Sequence, residues 1–175
     1  LRTAAARFWS AAASTGEEAY TLAMILAEFF FHGNPPQEPV ILGTDISERV
    51  LRVAESGVYP LEALEKVPAH FLRKYFVPRG ASEFEICPAI KRMVIFRRCN
   101  LLGPALPFKG QFHVIFSRNI FYYFDREKQE QLGNRLYEKA HPGAWLFTSV
   151  TESLRDLQVE WRHQDVGIHN KMGAL

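Results

Sequence analysis

The 175 residues are 47% hydrophobic and 23% charged with a net charge of +2, enough apolar content for one buried core and far from the basic excess of a dedicated nucleic-acid binder. No apolar run approaches the roughly 20 residues a membrane span requires, and the first residues lack the basic-then-apolar order of a signal peptide. The two cysteines, Cys87 and Cys99, have no C-x-x-C spacing, which predicts free thiols and a cytoplasmic protein.

A short apolar strand at 7–11 enters a small-residue turn and opens a helix at 16–31, where Tyr20, Ala23, Met24, Ala27 and Phe31 recur at helical spacing. His32-Gly33-Asn34-Pro35-Pro36 stops it. Residues 40–44 read as a buried strand with Asp45 at its carboxyl end, and Ser47 is placed to cap a helix over 47–56 that closes at Gly57. Residues 60–78 are helical in pieces, broken by Pro60, Pro68 and Pro78, with linkers expected at 33–39 and 77–82. Strands follow at 84–87, 93–97 and 111–117. Asp125 caps a helix over 126–140, His141-Pro142-Gly143 breaks it, and 145–150 forms a further strand. A short helix and then a hairpin, 159–164 with 167–170, complete the chain. The alternation predicts an α/β fold with a mostly parallel sheet and helices on both faces.

The stretch Trp9-Ser-Ala-Ala-Ala-Ser-Thr-Gly-Glu-Glu-Ala-Tyr20 is the most informative. Small residues let a ligand approach the backbone, and N–H groups collect at the helix start. A dinucleotide loop would need G-x-G-x-x-G and no acid facing its pyrophosphate. Here one glycine, Gly16, and two acids, Glu17 and Glu18, suit a cationic guest such as the sulfonium of S-adenosylmethionine (SAM). The same residues also read as an ordinary capping box, with Ser14 accepting from the Glu17 N–H while Glu17 reaches back. In an open α/β sheet, ligands bind beyond the carboxyl ends of the strands where strand order reverses. Ser14 to Glu18, Asp45, Asn100 and Arg118-Asn119 all follow predicted strands. The six histidines form no i, i+3 or i+4 pair, so no metal site is expected.

Taken together, W-S-A-A-A-S-T-G-E-E-A-Y, G-T-D-I-S, N-L-L and S-R-N-I-F-Y-Y-F-D closely resemble the catalytic domain of CheR-type chemotaxis receptor methyltransferases. G-V-Y-P at 57–60, F-L-R-K-Y-F at 71–76, P-G at 142–143 and T-E-S-L at 151–154 extend the resemblance over nearly the whole chain. It implies a Rossmann-like, class I SAM-dependent methyltransferase fold: a mostly parallel sheet with an antiparallel terminal strand and a small antiparallel β-subdomain at about 83–98. The implied activity is methylation of glutamate side chains on chemoreceptor cytoplasmic helices or another protein substrate, with SAM as cofactor and S-adenosylhomocysteine as product. No nucleic-acid partner and no membrane insertion are implied. The resemblance assigns cofactor binding to Ala12, Ser14, Thr15, Gly16, Glu17, Glu18, Asp45, Ile46, Asn100, Leu101 and Asn119. Within that set, Glu18 or Glu17 matches an acid near the methionine end, Asp45 the acid that holds the ribose, and Asn100 the residue beside adenine. Arg118 and Tyr123 match positions that face the incoming carboxylate.

Departures are local. Ala13 stands where the family usually has cysteine, and 148–150 where it has a glycine–histidine pair. The strands at 83–87 and 92–98 match the family's antiparallel subdomain, which in some members docks a receptor tail by strand addition. The resemblance makes residues 1–175 one catalytic domain without the helical domain that precedes it in the family. An N-methyltransferase would place an Asp/Asn/Ser-Pro-Pro-aromatic motif where Ser117-Arg118-Asn119-Ile120 has no proline. A nicotinamide dehydrogenase would use Asp45 equally well but needs the absent glycine fingerprint. A non-catalytic SAM-binding module that uses 60–98 to hold a signalling partner is the alternative from another class.

Overall fold

The computed structural model describes residues 6–29 and 40–173. Phe31, the helix-stopping segment at 32–36 and the linker at 33–39 lie outside them. In chain order the elements are β1 (Phe8–Ser10), α1 (Glu17–Phe29), β2 (Ile41–Asp45), α2 (Glu48–Ser56), β3 (Val58–Pro60), α3 (Ala69–Tyr75), β4 (Phe76–Arg79), β5 (Glu83–Ile86), α4 (Pro88–Lys91), β6 (Val94–Arg98), β7 (Phe112–Phe116), α5 (Arg126–Glu138), β8 (Ala140–Phe147), β9 (Arg162–Asp165) and β10 (Ile168–Asn170). Single 3-10 turns occupy Leu61–Leu64 and Phe121–Tyr123.

Seven strands form one sheet in the order β6-β2-β1-β7-β8-β10-β9. The five strands from β6 to β8 run parallel, and β10 lies antiparallel between β8 and β9. Strand order reverses beside β1, with β2 and β6 on one side and β7 and β8 on the other, which opens a crevice at the carboxyl ends. Alternation along the strands sends side chains to opposite layers. Ile41, Val94 and Phe96 pack with Ala23 and Met24 of α1 and Leu51 and Ala54 of α2. Trp9, Ile115 and Leu42 pack with Leu132 and Leu136 of α5. The buried Trp9 indole N–H donates to Thr44 Oγ1 (2.9 Å), whose hydroxyl donates to the Ala11 carbonyl (3.0 Å), so this polar path through the core is satisfied.

The structure corrects the expected boundaries in several places. Residues 94–98 form β6, the parallel edge strand of the main sheet, so the small sheet is β3-β5-β4 and excludes 92–98. Residues 76–79 of the expected helical pieces and linker are β4, paired antiparallel with β5. Ser47 precedes α2 at the capping position, but its hydroxyl makes no cap; Asp45 Oδ1 accepts from the Ser47 N–H instead (2.9 Å). His141-Pro142-Gly143 is part of β8, entered through an irregular register against β7. Residues 151–158 form turns in place of the expected short helix. Asp125 does cap α5, accepting from the Lys128 N–H (3.0 Å).

His169 of β10 is 1% exposed, and neither ring nitrogen finds a hydrogen-bond partner among the described residues. Burial, with the neighbouring His163 adding to it, pushes its pKa down to about 4. An unfolded histidine titrates near 6.5, so between these two values the unfolded chain binds a proton that the folded chain refuses. The contribution of neutral His169 is therefore full above pH 6.5 and is lost as pH falls toward 4, by on the order of 2–3 kcal/mol. Urea unfolding of wild type and His169→Phe at pH 7.5 and 4.5 measures this; the wild type is expected to lose more stability on acidification, and equal losses would contradict it.

Candidate active site

The turn after β1 is fastened to both neighbouring strands. The Ala11 N–H donates to the Phe116 carbonyl and the Ala13 N–H to the Thr44 carbonyl, each at 2.8 Å. Gly16 adopts φ +96°, and a Cβ there would stand 2.9 Å from Ala54 Cβ and 3.1 Å from the Phe96 ring. Only glycine lets this turn close against α2. From the small sheet, the Tyr59 hydroxyl donates to the Thr15 carbonyl (2.8 Å) and braces the turn from its far side. The capping box does not form: the Ser14 N–H donates to Asp45 Oδ2 (3.0 Å), and the Glu17 carboxylate accepts from the Thr15 hydroxyl (2.7 Å).

Beyond the carboxyl ends of β1, β2 and β6 lies a cleft lined by Ala11, Ala12, Asp45, Ile46, Cys99, Asn100, Leu101, Ile120 and Phe124. Five of the expected cofactor residues, Ala12, Asp45, Ile46, Asn100 and Leu101, meet here. Asp45 accepts one backbone N–H on each oxygen, from Ser14 and from Ser47, and each oxygen keeps a lone pair for a further donor. Asn100 Oδ1 accepts from the Leu102 N–H (3.0 Å), which fixes the amide. Burial raises the Cys99 thiol pKa, so this wall of the cleft is uncharged.

The two adjacent acids part company. Glu18 Oε1 accepts from the Ser10 hydroxyl (2.7 Å), and its Oε2 lies 3.6 Å from the Arg118 guanidinium across the mouth of the crevice. Burial raises the Glu18 pKa, while the Ser10 hydrogen bond and Arg118 pull it back down. Glu17 instead borders a separate apolar cavity between α1 and the small sheet, alongside Tyr20, Met24, Tyr59 and Phe71. The geometry thus sets Glu18, and not Glu17, toward the crevice at the strand ends.

The segment after β7 supplies the opposite wall. Asn119 adopts φ +58°, and its N–H donates to Ser149 Oγ (3.0 Å) and Glu152 Oε2 (2.8 Å). Ile120 and Phe124 reach the cleft. Tyr123 is 72% exposed and packs at a tilt against Tyr122 at the surface, so it stands apart from the residues that line the cleft. Sequence reasoning did not single out Cys99, Ile120 and Phe124 as cleft residues, nor Ser149 and Glu152 as supports. The signals were present in S-R-N-I-F-Y-Y-F-D and T-E-S-L, but residue type alone did not separate wall from support. Among the described residues, no group of three or more His, Cys, Asp or Glu side chains is placed to hold a metal ion. No helix there is long and apolar enough to cross a membrane.

The family model of the CheR methyltransferase SAM-binding domain matches residues 2–168. This chain belongs to that family. SAM is accordingly its cofactor. A chemotaxis protein methyltransferase of Borreliella burgdorferi is 35% identical over 149 residues, covering 85% of this chain and 53% of the relative. Chemotaxis protein methyltransferase 2 of Pseudomonas aeruginosa is 38% identical over 151 residues, covering 84% and 53%. The chain thus spans about half the length of these curated relatives. Among solved structures, a glycopeptide N-methyltransferase complexed with S-adenosyl-L-homocysteine matches with a TM-score of 0.51 at 13% identity, over 98% of this chain and 55% of that one. That likeness is one of fold, a class I methyltransferase sheet.

Proposed function

We propose that this chain transfers a methyl group from SAM to the γ-carboxylate of a glutamate on a chemoreceptor cytoplasmic helix, in the cytoplasm, as part of sensory adaptation. The observation that carries the reading is the Glu18–Arg118 pair at the mouth of the crevice, where a carboxylate-binding cation stands 3.6 Å from an acid suited to a sulfonium. Bound SAM supplies an electrophilic methyl on that sulfonium.

The donor set in the cleft fits the cofactor. Asp45 has the free lone pairs to accept the ribose hydroxyls, Ile46 and Leu101 offer apolar surface to either side, and Asn100 sits beside them for adenine. The small-residue turn from Ala12 to Gly16 leaves room for the methionine end, and Glu18 lies within reach of its positive groups. Asn119 supports the wall from behind, its N–H held by Ser149 and Glu152.

The acceptor needs no strong base, because a glutamate side chain with a pKa near 4.3 is already ionised at neutral pH. The work is alignment: holding carboxylate oxygen, methyl carbon and sulfur in line contributes roughly 7–11 kcal/mol in well-oriented systems. Arg118 holds one carboxylate oxygen while the other attacks. Its side chain is half exposed and its resting ion pair with Glu18 is long, so it is available to an incoming anion. A loose grip also preserves the nucleophile, which a tight bidentate pair would blunt.

Two outcomes follow. Calorimetry with S-adenosylhomocysteine is expected to show at least about 100-fold weaker binding for Asp45→Ala. Arg118→Ala is expected to keep that affinity and lose methyl transfer from labelled SAM to receptor cytoplasmic fragments. Equal losses of both properties in both variants would contradict these roles, and cofactor binding without any transfer by wild type would favour a non-catalytic module.

Because burial raises the Glu18 pKa, its charge is lost at a higher pH than that of an exposed glutamate. SAM carries a sulfonium charge and S-adenosylhomocysteine does not. SAM affinity is therefore expected to fall relative to the homocysteine product as pH is lowered through the raised Glu18 pKa, and Glu18→Gln is expected to remove that dependence. A wild-type affinity ratio that stays constant with pH would place Glu18 away from the sulfonium.

A further inference from the structure

Glu152, in the turn after β8, is a buried acid that the sequence linked to no function. It is 5% exposed and makes no ion pair among the described residues. Its charge is met by backbone amides: Oε1 accepts from the Phe121 N–H (2.8 Å), and Oε2 from the Asn119 N–H (2.8 Å) and the Ser149 N–H (3.1 Å). Glu152 is itself held, its N–H donating to the Ser149 carbonyl and its carbonyl accepting from the Thr148 hydroxyl, both at 2.9 Å.

Two of these amides, those of Asn119 and Phe121, belong to the segment that forms one wall of the active site. The N–H groups of Asn119 and Phe121 turn toward Glu152, whereas the side chains of Arg118 and Ile120 serve Glu18 and the cofactor cleft. Asn119 makes this turn in the left-handed region, at φ +58°, a conformation that persists when its surroundings over-determine it. A carboxylate satisfies the arrangement because both its oxygens accept. A glutamine of the same shape has one accepting oxygen, and its NH2 would confront either the Phe121 amide or the Asn119 and Ser149 amides.

We propose that Glu152 is a positioning residue for methyl transfer: its carboxylate fixes the 118–121 segment so that Arg118 meets the substrate carboxylate and Ile120 closes on the cofactor. The proposal rests on the methyl-transfer reading for the role of Arg118, but the placement of the segment is testable without it. Glu152 acts through other residues and touches neither substrate nor cofactor.

The test compares wild type, Glu152→Gln, Ser149→Ala, Arg118→Ala and the Glu152→Gln/Arg118→Ala double variant. In Glu152→Gln, amide hydrogen exchange at Asn119 or Phe121 is expected to speed up at least about tenfold. S-adenosylhomocysteine is expected to bind about tenfold more weakly, and kcat/KM for a receptor fragment to fall roughly 10- to 100-fold. Ser149→Ala removes one acceptor of the Asn119 N–H and is expected to act in the same direction with smaller effect, which gives the answer if Glu152→Gln does not fold. With SAM saturating, the double variant is expected to lose no more kcat/KM for the receptor fragment than Arg118→Ala, because once the cofactor is held Glu152 works through that arginine. The proposal is overturned if Glu152→Gln, or Ser149→Ala in its place, lowers only thermal stability while exchange, affinity and kcat/KM stay within about twofold of wild type. It is also overturned if the losses of the two single variants multiply when SAM is saturating. Should wild type bind the homocysteine product yet methylate no receptor fragment, the methyl-transfer reading fails, and the exchange and affinity measurements decide the placement role alone.

Discussion

Asp45 joins the two turns from which the cofactor cleft is made. Its two oxygens accept the Ser14 N–H from the turn after β1 and the Ser47 N–H from the start of α2, so the end of one strand organises the helix entrances of two βα units. Charge-assisted bonds of this kind are stronger than neutral ones, and they hold amides that would otherwise be free at a loop. The cleft, the spacing of Ala12 from Ile46 and the approach to Asn100 all depend on this junction. The same acid that shapes the site presents its remaining lone pairs to whatever enters.

Around that junction the supports come from three directions. Gly16 lets the first turn lie against Ala54 of α2. Tyr59 holds Thr15 from the small sheet, which makes that sheet a brace of the cofactor turn as well as a surface feature. On the far side Glu152 gathers the amides of Asn119, Phe121 and Ser149. The walls of the crevice are therefore backbone segments fixed by buried side chains, and Glu18 and Arg118, paired across its mouth, stand on them.

Much of this was legible in the sequence because the signals were local and strong. The helical spacing in α1, the apolar run of β2 ending at Asp45, and the Asp125 cap of α5 each state their structure within a few residues. The small sheet was legible as an antiparallel unit with a strand near 84–87, but its extent was not. Its edge strands β3 and β4 are three and four residues long and contain Pro60 and Pro78, which read as breaks although an edge strand tolerates a missing N–H. Which sheet β6 joins is decided by its parallel pairing with β2, a contact across some fifty residues that no local pattern encodes. Glu17 and Glu18 differ by about 100° of helix rotation, so a motif that contains both cannot say which faces the crevice; the packing of α1 does. Glu152 appeared only within T-E-S-L, with no role of its own, because two of its three amide partners come from a segment some thirty residues away.

The most direct test of the account is a crystal structure of the chain with S-adenosylhomocysteine. The account predicts the ribose hydroxyls on the Asp45 carboxylate, adenine between Ile46 and Leu101 beside Asn100, and the amino acid end along the turn of residues 12–16 toward Glu18. A ligand seated instead in the apolar cavity beside Glu17, with Asp45 and Asn100 untouched, would contradict it.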